Sequence, residues 1–236
     1  MLTQQSLKDV FYCPEESEFY SQCIKELVLK QCNNTEIIVE FGSGDGTPVI
    51  NSLLETSFKG KIYGFELNES AYEVAKSKVR KYELDSKYIV KNQSFFSYFN
   101  KDAEYLISNP PYLPAIDNNI YQPLLHGGTD GSEIARKLLS LNYENVLLMV
   151  SSYSNPQSLI EYAESNGYST GNFMISPLNF GYYSSEPKVK NTISEMQKQG
   201  MAFYSDNIYL LAGVLFTKNQ TAVDVSSELI QIMTSL

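Results

Sequence analysis

The chain has 236 residues, 43% hydrophobic and 19% charged, a composition ordinary for a soluble globular protein and a length that supports a sizeable core. Its 18 basic and 27 acidic residues leave a net charge of −9, a field that repels phosphate backbones and argues against general nucleic-acid binding. The only arginines, Arg80 and Arg136, are far apart, no signal peptide is recognisable, and no apolar run is long enough to span a bilayer. Cys13, Cys23 and Cys32 lack CxxC or His-paired spacing, so thiols in a reducing cytoplasm are expected, with no metal site and no membrane association.

In chain order, Pro14 to Cys32 opens with acids and places Phe19, Cys23, Ile24, Leu27 and Val28 at helical spacing, predicting an amphipathic helix over about 14–32. Strand and helix patterns then alternate. Glu36 to Phe41 (EIIVEF) predicts a buried strand, followed by a glycine turn and a helix around Pro48 to Leu54. Lys61 to Glu66 (KIYGFE) is the next strand, then a helix from Glu69 to about Tyr82 and a short strand over Tyr88 to Val90. Tyr105 to Ser108 (YLIS) runs into Asn109-Pro110-Pro111-Tyr112. Ser132 to Leu141 reads as helix, Asn145 to Val150 as strand, Pro156 to Glu164 as helix, and Asn207 to Phe216 as a run of strand length. This rhythm predicts an α/β protein: one domain over 1–236, with a mostly parallel, doubly wound sheet and an antiparallel last strand. The segment Pro177 to Asp206 breaks the rhythm with the aromatics Phe180, Tyr182 and Tyr183 and a helix carrying Val189, Ile193 and Met196 on one face. Such an insertion before the last strand is either a lid or a packing element.

The first strand ends in Glu40-Phe41 and enters Gly42-Ser43-Gly44-Asp45-Gly46. Glycines tolerate positive φ and let a ligand approach the backbone. The dinucleotide fingerprint GxGxxG would want its third glycine at position 47, which is Thr47. The GxGxG spacing resembles instead the first motif of the S-adenosylmethionine methyltransferases. There, an acid two residues before the first glycine sits near the cofactor's amino group, which is the place of Glu40. Glu66 ends the second strand roughly 20 residues on, where an acid accepts both ribose hydroxyls in either cofactor class.

Ser108-Asn109-Pro110-Pro111-Tyr112 closes the fourth strand, on the carboxyl side where such sheets bind ligands. A planar NH2 nitrogen is a poor nucleophile because its lone pair is delocalised. The side-chain oxygen of Asn109 and the carbonyl of Pro110 can each accept one of its hydrogens. Paired prolines bring no N–H to compete and restrict φ, holding that carbonyl in place. Two acceptors draw the nitrogen toward tetrahedral geometry, and Tyr112 can stack on the planar group. Catalysis of this kind is alignment plus electrostatics and needs no dedicated base.

GxGxG followed by NPPY resembles the class I amino-methyltransferases, which include adenine-N6 enzymes and the HemK-like glutamine-N5 methyltransferases of release factors. Leu125-His126-Gly127-Gly128-Thr129-Asp130-Gly131 looks like the GGxDG segment of the HemK-like group, and Phe11-Tyr12-Cys13-Pro14-Glu15-Glu16 like the entry motif of their short relatives. The resemblance covers roughly residues 10 to 165. It implies a Rossmann-like methyltransferase fold and S-adenosylmethionine as cofactor, with S-adenosylhomocysteine as product. It places Asn109, Pro110 and Tyr112 at the reaction centre and Glu40, Gly42, Gly44, Gly46 and Glu66 around the cofactor. Three departures accompany it. About 35 residues ahead of the glycine motif are too few for the bacterial enzymes' helical recognition domain. Ser94, in Gln93-Ser94-Phe95-Phe96, stands where an acid near the adenine is usual, leaving Asn92, Gln93 or Ser94 to make that contact. The insertion over 177–206 has no family counterpart.

The expected activity is methyl transfer to a planar amide or amino nitrogen, with a protein glutamine as the substrate the resemblance offers. A small-molecule N-methyltransferase is the next reading, then an adenine-N6 methyltransferase on nucleic acid, then a non-catalytic binding module on the same fold. Phe180, Tyr182 and Tyr183 are candidates to close over a planar or cationic substrate, or else core residues. His126, the only histidine, reads as a loop residue without a chemical task, and Asp130 or Ser132 as a helix cap. The sequence leaves the oligomeric state open.

Overall fold

The buried apolar runs become strands in the computed structural model, which describes residues 13–32, 35–98, 102–219 and 223–236. Phe11 and Tyr12 of the entry motif lie outside the described residues. The chain forms two units, Met1–Asn109 and Pro110–Leu236.

In the first unit, helix α1 spans Pro14–Cys23 and passes into a π-helical turn, Ile24–Leu29. Pro14 suits its first turn, where its missing N–H would have no partner. Phe19, Cys23, Ile24, Leu27 and Val28 are all buried, so the expected apolar stripe exists. Strands β1 (Ile37–Phe41), β2 (Lys61–Glu66), β3 (Tyr88–Asn92) and β4 (Tyr105–Ser108) are parallel, in the order β3-β2-β1-β4. Helix α2 (Thr47–Leu54) follows β1, and α3 (Glu69–Lys81) follows β2. Asn68 caps α3 by accepting the Ala71 N–H at 3.0 Å, which satisfies one of the free donors of the first turn. Ser52 of α2 donates to the Ser21 carbonyl at 2.8 Å, tying α1 to α2 in a buried contact.

The second unit contains α4 (Glu133–Leu139), β5 (Asn145–Ser151), α5 (Pro156–Ser165), β6 (Ser169–Asn179), α6 (Pro187–Lys198), β7 (Tyr204–Ser205), β8 (Ile208–Thr217) and α7 (Ser226–Met233). The last long strand, β8, pairs antiparallel with β5 on one side and β6 on the other, and β7 adds a short antiparallel pairing to β8. The antiparallel last strand expected from the sequence is β8.

Strand β6 is absent from the sequence reading, and Pro177 to Asn179, taken there for the start of the insertion, are its last three residues. Most of its residues are half-buried or exposed, so no continuous apolar run betrays it. Its only described partner is β8, and Pro177 is tolerated on such an edge because its missing N–H costs no ladder bond. The interruption that remains holds α6, which buries Val189, Ile193 and Met196, the face expected from the sequence. Among the described residues no helix is long and apolar enough to cross a membrane.

Candidate active site

At the carboxyl end of β1 the backbone turns through Gly42, Gly44 and Gly46 with φ of +71°, +54° and +74°, a conformation that side-chain-bearing residues rarely adopt. A Cβ on Gly42 or Gly44 would meet nothing within 4 Å, so the backbone there faces open space. At Gly46 a Cβ would lie 3.2 Å from Ala75 and 3.3 Å from the Tyr88 ring, so this glycine also lets α3 pack closely. Asp45 pins the turn: its Oδ1 accepts the Thr47 N–H at 3.0 Å, and Lys78 Nζ donates to Asp45 Oδ2 and Thr47 Oγ1, both at 2.6 Å. Burial alone would raise the Asp45 carboxyl, but these bonds and the Lys78 charge outweigh it and hold it below the usual range.

Glu40 is 1% exposed, two residues before the first glycine. The Tyr88 hydroxyl donates to its Oε2 at 2.5 Å. Gly64 of β2 makes this bond possible, since a Cβ there would lie 2.9 Å from the Tyr88 ring and 3.0 Å from its hydroxyl. Burial pushes the Glu40 carboxyl up to about 8; the Tyr88 and Tyr20 hydroxyls pull the other way, while Glu66 and Asp45 add to the rise. The sequence reading placed Glu40 but missed Tyr88, Gly64 and Tyr20. A tyrosine opening a strand and a glycine inside another were the signals at two of these positions.

Glu66 sits at the end of β2, and its carboxylate orders the same turn: Gly44 N–H donates to Oε2 at 2.8 Å and Asn68 N–H to Oε1 at 2.7 Å. Each oxygen keeps a second lone pair for a ligand hydroxyl. Asn92 Nδ2 is engaged by the Glu66 and Leu67 carbonyls at 3.0 and 3.3 Å, so it holds the strand end. Gln93 is exposed, and Ser94, half-buried, begins the 3-10 turn Phe95–Ser97. Phe95 packs edge-on against Phe41 and Phe65, with centroids at 5.6 and 5.4 Å. That packing fixes Ser94 and the exposed Phe96 ring, 5.4 Å from Phe41, beside the entrance to the glycine turn.

Ser108 is directly opposite Phe41 in the β1–β4 register, and its buried hydroxyl donates to the Phe41 carbonyl at 2.9 Å. The next residue, Asn109, therefore emerges beside Gly42. Its Oδ1 is buried without a hydrogen-bond partner. Tyr20 Oη and Ser43 Oγ, also buried, differ in facing the Glu40 carboxyl and the Tyr88 phenol. Leaving such a group unpaired costs about 1–3 kcal/mol, so an orphan acceptor at a strand's carboxyl end calls for a ligand.

In the second unit, Pro110 and Tyr112 are buried, and the Tyr112 carbonyl accepts from Ser154 Oγ at 2.8 Å. The Gly127–Gly131 segment braces this stretch. Gly127 N–H donates to the Leu113 carbonyl at 2.9 Å, and Ala115 N–H to the Gly128 carbonyl at 3.1 Å. A Cβ on Gly127 would lie 2.6 Å from Tyr112 Cα and 2.8 Å from the Pro111 carbonyl; one on Gly131 would lie 2.5 Å from the Tyr112 carbonyl. Asp130 anchors the far side, accepting from Ser132 N–H and Oγ, Asn155 Nδ2 and Arg136. Burial would raise its carboxyl, but these donors hold it low. Ser132 is the N-cap residue of α4 and makes no side-chain cap bond, so the Asp130 turn shapes the helix entry. His126 Nε2 lies 2.9 Å from the Ala115 carbonyl and donates to it, a bracing bond within the loop.

The predicted aromatic residues divide. Phe180 stacks on Tyr153 at 5.3 Å and 25°, and Tyr153 in turn meets the Tyr112 ring at 5.9 Å, so Phe180 and Tyr112 share one cluster. Tyr182, 71% exposed, lies instead against Tyr121 at 5.4 Å. Tyr183, half-buried, meets Tyr182 edge-on. Tyr121 N–H donates to the buried Glu186 carboxylate at 2.9 Å, which holds the two tyrosines together.

No protein-family model matches the sequence, and no curated protein is significantly similar to it. Solved structures are similar in fold. A candidate RNA methyltransferase from Pyrococcus horikoshii superposes with a TM-score of 0.55 at 12% identity, over 92% of this chain and 91% of that one. The fold is that of the class I methyltransferases. TrmK of M. capricolum, solved with S-adenosylhomocysteine, gives 0.50 at 15% identity, covering 85% and 68%. The 4+2 cyclase SpnF gives 0.53 at 10% identity, covering 86% and 80%. As these names cover more than one reaction, the chemistry must be argued from the residues.

Proposed function

We propose that this chain is an S-adenosylmethionine-dependent methyltransferase that acts on a planar amide or amino nitrogen. The buried, unpartnered Asn109 Oδ1 beside the glycine turn carries the reading. The residues fit the cofactor: an open backbone cradle at Gly42 and Gly44, a buried acid at Glu40 for an ammonium, and Glu66 for vicinal hydroxyls. Ser94 and Phe96 supply a polar group and a ring face for a purine. The TrmK structure's S-adenosylhomocysteine supports the same cofactor on this fold. When bound, the cofactor supplies an electrophilic methyl group on a sulfonium.

The protein's own work is alignment. Asn109 Oδ1 accepts one hydrogen of the substrate NH2 and the Pro110 carbonyl accepts the other, the two acceptors being consecutive in the chain. Both bonds strengthen as the nitrogen gives up its planarity, so they favour the transition state over the ground state. Tyr112, buttressed by Tyr153, presents a ring to the planar group. The nitrogen's proton becomes acidic only as the new N–C bond forms and leaves to water, so no dedicated base is needed. Within this class the reading prefers a protein amide, the substrate that NPPY and Gly127–Gly131 suggest, over a small metabolite. The net charge of −9 weighs against a nucleic acid. Methyl-labelled S-adenosylmethionine incubated with the protein and separated protein, nucleic-acid and metabolite fractions tests the proposal. Label in protein is expected. Label in the metabolite or nucleic-acid fraction would change the substrate, and no wild-type transfer into any fraction would refute the activity.

A further inference from the structure

Glu40 is the most deeply buried carboxylate around the glycine turn, and its surroundings are unusual for an ionised group. Tyr88 reaches it from β3, through the gap left by Gly64, and donates to Oε2. Tyr20 faces it from α1, its buried hydroxyl directed at the carboxyl and close enough to stabilise negative charge there. The charged groups that face it are acids: Glu66 at the end of β2 and Asp45 in the turn, the latter already paired with Lys78 of α3. Ser43, in the turn, contributes a further buried hydroxyl, directed at the Tyr88 phenol. Two phenols and a serine can hydrogen-bond a carboxylate, but among the described residues no cation pairs with it to compensate its burial.

We propose that Glu40 is protonated in the ligand-free protein and releases that proton to solvent when the cofactor's ammonium group arrives, with Tyr88 and Tyr20 as positioning residues that receive the newly formed carboxylate. The inference rests on the cofactor reading above and adds a linked ionisation to it. The ammonium keeps its own protons, and the charge pair it forms with Glu40 replaces the neutral acid. Tyr88 already donates to one carboxylate oxygen. Tyr20, from α1, is the second phenol at the same carboxyl, and its donation strengthens once the carboxylate is charged. Cofactor binding and acid ionisation are therefore thermodynamically reciprocal.

Titration calorimetry with S-adenosylhomocysteine, which carries the ammonium but transfers no methyl, tests this directly. Runs at pH 6.5 in two buffers of different ionisation enthalpy give the number of protons exchanged. Close to one proton released per ligand is expected, with affinity rising about tenfold per pH unit between 5.5 and 7. Methylthioadenosine, lacking the amino-acid portion, should bind without proton release. Glu40→Gln should abolish the release. Tyr88→Phe should retain it while moving its midpoint to higher pH, a shift that a purely structural tyrosine would not produce. Tight binding of S-adenosylhomocysteine with no net proton exchange would overturn the proposal and leave the cofactor assignment standing. A failure of S-adenosylhomocysteine to bind would overturn both.

Discussion

Gly127→Ala tests whether the Gly127–Gly131 segment sets the geometry of the reaction centre. Gly127 does not occupy the left-handed region, so the substitution adds no backbone strain, only a methyl group. That methyl would sit 2.6 Å from Tyr112 Cα, 2.7 Å from the Gly131 carbonyl and 2.8 Å from the Pro111 carbonyl. Carbon atoms pack at about 3.5–4.0 Å, so relief needs a shift on the order of 1 Å. All three neighbours are backbone atoms, so no rotamer change provides it, and the Pro111–Tyr112 segment must move. Overpacking of this kind costs about 1–3 kcal/mol of stability. A misplacement near 1 Å can cost about a hundredfold in rate, equivalent to roughly 2.7 kcal/mol of barrier. Urea denaturation measures the first quantity and methyl-label transfer the second. Affinity for S-adenosylmethionine should stay within a few-fold, because its proposed contacts lie in the first unit. Gly181→Ala, where a Cβ meets nothing within 4 Å, should leave stability unchanged. A Gly127→Ala protein with wild-type stability and wild-type transfer would show that the segment does not brace the centre.

Asn109→Ala removes the orphan acceptor and should lower kcat by about 10²–10³, with cofactor affinity nearly unchanged; normal turnover would refute the proposed role. Stability of the ligand-free protein should depend on Glu40. Its carboxyl is raised to about 8 in the folded state, against an ordinary 4.5, so the folded protein holds a proton that the unfolded chain has lost. That contribution is fully present below about pH 4.5 and declines by about 1.4 kcal/mol per pH unit as pH rises toward about 8. The difference between wild type and Glu40→Gln in denaturation midpoint against pH reads it, and a constant difference would contradict it. Asp130 has the opposite sign: its carboxyl is held low, so its contribution is present above the ordinary carboxylate range and is lost on acidification. Asp130→Asn should therefore destabilise at pH 7 and narrow the gap to wild type in acid, as thermal melts would show. Gly46→Ala, at φ +74° and with Ala75 and Tyr88 at 3.2 and 3.3 Å, should weaken cofactor binding and stability together.

Much of the first unit was legible in the sequence because parallel buried strands are continuous apolar runs. KIYGFE and YLIS match β2 and β4 residue for residue, and β3 differs only in running on to Asn92. The positions of the glycine turn, Glu40, Glu66 and Asn109 followed from the same reading, since each stands at or beside a strand end. Strand β6 escaped because STGNFMISPLN mixes polar residues and a proline on a half-exposed edge, where hydrophobic periodicity carries no signal. The aromatic trio of Phe180, Tyr182 and Tyr183 looked like one patch because the residues lie within four positions. The chain turns between them and sends Phe180 to Tyr153 and Tyr182 to Tyr121.

By itself the sequence determined the residue types with chemical capacity and their order along alternating strands and helices, because local propensity and hydrophobic period are properties of consecutive residues. Only the tertiary structure decided which of those groups meet and which are left without a partner. Tyr20, Glu40 and Tyr88 are separated by 20 and 48 positions, and their meeting depends on a helix, two strands and the missing Cβ of Gly64. The orphaned oxygen of Asn109 is likewise a property of its surroundings, because burial and hydrogen-bond satisfaction are set by what the folded chain brings near.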